Sequence, residues 1–185
     1  MAVRGSQGAR ARTSRRLAAA AAGLVVAATL GACSGTPGAA AVVDGTVIRS
    51  ADLGVALGEL APFFQGVTTG NILTALIDEP TLTAVAAEQG VGVSDEQAAA
   101  TLDSAVQSVT PGAEVEFGPA SLAVGRYLAA SAALSAQPDA EAISADIQER
   151  IAALDVEVNP RVGTVDEANT VVDPVPAPWV VTPTE

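Results

Sequence analysis

Gly90-Val91-Gly92-Val93-Ser94-Asp95-Glu96-Gln97 ends one helix and begins the next. Gly90 follows Glu88-Gln89 and reads as the left-handed residue that closes a helix. Ser94 and Gln97 have the S-x-x-Q spacing of a capping box. In that motif the serine oxygen accepts from the third helical amide, and the glutamine side chain reaches back to the cap.

Working outward, the pattern stays helical. Leu102, Ala105, Val106 and Val109 form the apolar face of the downstream helix, and Pro111-Gly112 closes it. Upstream, Ile72, Leu73, Leu76 and Ile77, then Leu82, Val85 and Ala86, share one helical face. Pro80 lies inside that run, so a kink or a break is predicted there. A helix is predicted over 120–134, with Leu122, Tyr127 and Leu134 among its buried candidates. Another is capped by Asp139 and carries Ile143, Ile147, Ile151 and Leu154 at helical spacing. Nearer the N-terminus, Ser50 is placed to cap a helix over 50–60, with Asp52 in its first turn and Pro62 beyond its end.

The flanks change period. Val42-Val43-Asp44-Gly45-Thr46-Val47-Ile48 sets β-branched residues on both sides of Asp-Gly, the strongest short hairpin signal. Val156 and Val158 alternate with Asp155, Glu157 and Asn159, which predicts a short strand ended by Pro160. The fold class that follows is mainly α: a bundle-like helical domain with an N-terminal β-hairpin and a C-terminal strand. Residues 1–32 read as an export signal, 33–40 as a flexible tether, 41–160 as the domain and 161–185 as a Pro- and Val-rich tail.

The export reading rests on layout. Arg4, Arg10, Arg12, Arg15 and Arg16 precede an apolar run over 17–30 that is short for a membrane span. Arg15-Arg16 suits twin-arginine export and general secretion equally well. Leu30-Gly31-Ala32-Cys33 resembles a bacterial lipobox. The resemblance implies cleavage between Ala32 and Cys33, a diacylglycerol thioether on Cys33, and anchorage on the extracytoplasmic face of the cell membrane. Beyond the signal, four arginines stand against 21 acidic residues, a formal charge of −17. Such a surface excludes nucleic-acid binding through phosphate neutralisation and is repelled by anionic lipids, so the acyl chains must supply the anchor. With Cys33 the sole cysteine, the domain has no internal disulfide and depends on its apolar core.

Val42-Val43-Asp44-Gly45-Thr46-Val47-Ile48 followed by Ser50-Ala51-Asp52-Leu53 is similar to the opening of SurA-like N-terminal domains. Ala75-Leu76-Ile77, Leu82, Ala86-Ala87, Gly90-Val91 and Val93-Ser94-Asp95-Glu96-Gln97 extend the similarity in the same order. Pro80 departs from the family's uninterrupted long helix. The resemblance implies an export-side chaperone module for unfolded or maturing secreted chains. The stretch 115–160 reads as helix, turn and helix, which leaves no room for an inserted parvulin isomerase domain.

The residues themselves offer little chemistry. The chain has no histidine, so the usual general base and metal ligand are missing, and a lipidated Cys33 is no nucleophile. No phosphate-binding glycine loop or EF-hand spacing is present. A non-enzymatic protein without metal or cofactor is expected, with a carboxylate-pair hydrolase as the enzymatic alternative. Phe63-Phe64, in the loop after Pro62, reads as a plug over the core before it reads as a client-contact patch. Arg161 suits a surface ion pair better than a carboxylate clamp. Trp179 suits docking onto the domain and partner binding equally. The expected function is binding of exported unfolded polypeptides; the alternative is an adaptor that holds one folded envelope partner.

Overall fold

A computed structural model describes residues 36–166 and 169–172. The fold is mainly helical with small antiparallel strands on its N- and C-terminal sides. Cys33, Ala32, the rest of the signal and Trp179 lie outside the described residues.

β1 (Ala39–Val43) and β2 (Thr46–Arg49) pair antiparallel across Asp44-Gly45. Both turn residues have positive φ, 47° and 79°, as a type I′ turn requires. β3 (Val156–Val158) adds to the other side of β1, giving the order β2-β1-β3. The Asp44 carboxylate ties the turn to this third strand by accepting from the Asp155 amide at 3.0 Å. β1 begins at Ala39 and its three alanines are buried, so the last two residues of the expected tether belong to the sheet.

β2 runs straight into α1 (Ser50–Leu60). The expected cap at Ser50 is not made. Arg49 is the cap residue, and the Ser50 amide donates to the Gly38 carbonyl at 2.9 Å. The strand's lead-in therefore satisfies the Ser50 amide, one of the donors that a helix start leaves without an intrahelical partner.

α2 (Thr69–Glu88) passes through Pro80 as one helix, so of the predicted kink or break the break does not occur. A proline removes one backbone bond, but packing of the buried residues on both sides of it offsets that local loss. Its C-terminus is a full Schellman motif: Val91 N donates to Ala86 O, Gly90 N to Ala87 O, and Gly90 has φ +74°. α3 (Asp95–Val109) starts on the expected capping box, with both reciprocal bonds formed.

α4 (Pro119–Ser135) begins at Gly118, which has no side chain to cap it. Glu59 of α1 does so from across the fold, accepting from Gly118 N at 2.9 Å and from the buried Ser121 hydroxyl at 2.5 Å. α3 and α4 approach closely at Gly125, where a Cβ would stand 2.8 Å from the Ala98 carbonyl oxygen. Of the buried candidates on α4, Leu134 is buried, whereas Leu122 and Tyr127 are half-buried. α5 (Ala140–Ala152) has Asp139 at its cap position but no side-chain cap bond.

The tail folds back at once. β4 (Thr164–Val165) and β5 (Val171–Val172) form an antiparallel pair, so residues 161–166 and 169–172 are part of the packed structure. Asn169, at φ 57°, donates to the carbonyls of Ile151 and Leu154 at the end of α5. Val171 is buried against α2, and its amide donates to Thr74 Oγ1 at 3.1 Å.

Candidate functional site

Two clefts flank Tyr127 of α4. The first, about 320 Å³, runs between α2, α4, the loop after α1 and β5. Phe64, Val67, Ile72, Leu128 and Val171 give it apolar walls, and Asn71 and Thr170 add polar groups. Phe64 is half-buried and packs against the core while lining this cleft. Phe63 is half-buried beside it and does not line the cleft.

The second cleft, about 290 Å³, lies between α2, α4 and α5. Leu82, Leu134, Ile143 and Ile147 form apolar walls, and Asp78, Ser131, Ser144 and Gln148 contribute polar groups. Asp78 is 9% exposed, and its Oδ1 has no hydrogen-bond partner among the described residues. Burial pushes its carboxyl up to about 6. The same burial, with the Asp78 charge nearby, raises the Tyr127 hydroxyl and keeps it neutral. The sequence reading passed over Asp78, although it stands four residues before Leu82 and seven before Val85 on the apolar face of α2.

The arginines are engaged elsewhere. Arg126 bridges Glu79 at 2.7 Å and Asp95 at 2.6 Å, which ties α2, α4 and the start of α3 together. Arg150 pairs with Glu88 at 2.9 Å and with Asp146 at 3.0 Å. Arg161 is exposed, and its side chain forms no ion pair among the described residues. No group of three metal-ligating side chains occurs among the described residues, and no described helix is long and apolar enough to cross a membrane.

Comparison with known proteins finds no family model, no curated protein and no solved structure that matches this chain.

Proposed function

We propose that this chain is a lipid-anchored, extracytoplasmic, chaperone-like protein that binds unfolded or maturing exported polypeptides without catalysing a reaction. The open apolar cleft beside Phe64 carries the reading. Its walls suit the apolar side chains of an extended or amphipathic segment, and its polar groups suit that segment's backbone. The basic start, the apolar run and the lipobox-like residues ending in Cys33 support the anchor. The SurA-like order of motifs supports the client class.

The test is photo-crosslinking in intact cells from Gln65, an exposed neighbour of Phe64 whose replacement spares the core contact. A ladder of many exported proteins is expected. One discrete adduct would replace this reading with that of an adaptor for a single envelope partner, and no adduct would overturn both. Cys33→Ser is expected to release the protein from membranes. Retention in the membrane fraction would overturn the lipid anchor.

A further inference from the structure

The geometry points to the cleft between α2, α4 and α5 as a binding site for an alkylammonium group, with Asp78 as counter-ion and the Tyr127 ring beside it. The inference rests on this cleft's chemistry and is independent of the chaperone reading.

A buried carboxylate is costly unless it is paired, and proteins generally pair it from within. Among the described residues no basic side chain pairs with Asp78. Beyond the signal the chain has four basic side chains. Arg126 and Arg150 are each held by two other carboxylates. Arg49 lines a different groove beside β2, and Arg161 is exposed beyond β3. The Asp78 carboxyl therefore lines an open cleft with its Oδ1 unpartnered and no cation beside it among the described residues.

The other walls narrow the ligand class. A bare divalent ion prefers several charged oxygen ligands, and the cleft offers one carboxylate, with hydroxyl and amide groups on one part of its wall and aliphatic side chains on the other. Leu82, Ile143 and Ile147 suit a hydrocarbon chain instead. Tyr127 adds an aromatic side chain to the lining, of a kind that attracts cations, and Ser131 and Ser144 offer acceptors for the remaining ammonium hydrogens. The acidic surface raises the local concentration of cations. A lysine side chain of a bound polypeptide and a free aliphatic amine share this chemistry.

Calorimetric titration of the full chain in detergent micelles tests the site. The probes are n-pentylamine, n-pentanol, and two short unstructured peptides that differ by lysine against norleucine. NMR shifts of the Ser131 and Ser144 amides report where binding occurs. Binding of n-pentylamine alone identifies a free-amine site; binding of the lysine peptide but not its norleucine twin identifies a client side chain. Either outcome supports the inference.

Asp78→Asn keeps the shape and removes the charge, so it is expected to abolish binding while unfolding remains cooperative. Ser144→Leu, an exposed change at the cleft wall, is expected to block binding without touching the carboxyl. Affinity should weaken about tenfold from about pH 7 to about pH 5, as the ionised fraction of Asp78 falls. Among the described residues Tyr127 is the other titratable group lining the cleft, and α5 contributes none. Equal binding of n-pentanol, undiminished binding by Asp78→Asn, or no binding of either cationic probe would overturn the inference. None of these results bears on crosslinking from Gln65, so the two readings fail separately.

Discussion

The core divides at Tyr127 into halves that handle burial differently. One half, beneath the sheet and around the Phe64 cleft, gathers twelve buried apolar residues, with Leu60, Leu73, Ile77 and Leu102 fully enclosed. The other half, between the end of α2, α4 and α5, gathers six and borders the Asp78 cleft. The first is closed by segments far apart in sequence: β1, α1, α3 and Val171. The second is closed chiefly by one amphipathic helix, α5, with Ile143 its sole fully buried residue. Stability is therefore expected to concentrate in the first half, and adjustable chemistry in the second.

The sharpest way to break that contrast is to hollow each half in turn. Leu102→Ala removes a fully enclosed side chain and is expected to cost about 3–4 kcal/mol in chemical denaturation, against about 2 kcal/mol for Leu82→Ala. A larger loss at Leu82 would reverse the assignment. Next comes Glu59→Ala, which strips α4 of its cap and leaves the buried Ser121 hydroxyl without its acceptor. A loss of about 2 kcal/mol is expected in the same assay.

Asp78→Asn should act in the opposite direction. Its folded pKa of about 6 lies above the ordinary 3.8, so the folded state holds a proton that the unfolded state releases between these values. Ionised Asp78 therefore penalises folding above about pH 6, and the penalty fades as pH falls toward 4. The variant is expected to gain about 1–2 kcal/mol near pH 7, after allowance for solvent screening, and nothing near pH 4. Melting curves at both pH values check it; a loss at pH 7 would mean that the carboxylate is stabilised within the fold. The smallest effect is expected from Arg150→Met. Its ion pairs with Glu88 and Asp146 are exposed on both sides, so the melting temperature should not move measurably.

Much of the helical frame is legible from local residues. Ser94 and Gln97 place the start of α3, Gly90 places the end of α2, and Asp44-Gly45 places the hairpin turn, because each motif completes its hydrogen bonds within a few residues. The errors fall where a distant partner intervenes. Pro80 sits inside a helix whose packing on either side carries it through. Ser50 is the first residue of α1 and not its cap, because its amide donates to the distant Gly38 carbonyl. Residues 164–166 and 169–172 lack helical or alternating period, yet they pair and dock through Val171 and Asn169. Of the candidate site, Phe64 was visible as an aromatic in a loop, whereas Asp78 was hidden among many acids.

By itself the sequence determined the class: helices of known phase, a hairpin at one end, a strand near the other and an acidic chain with a lipobox-like cysteine. These follow from local sterics, capping and hydrophobic period, which act over a few residues. Only the tertiary structure decided that β3 joins β1, that Glu59 caps α4, that Gly125 admits α3, and that Asp78 lies in a cleft that no base lines among the described residues. Each of these depends on which surfaces meet, and a carboxylate's cost or use is set by what surrounds it in space.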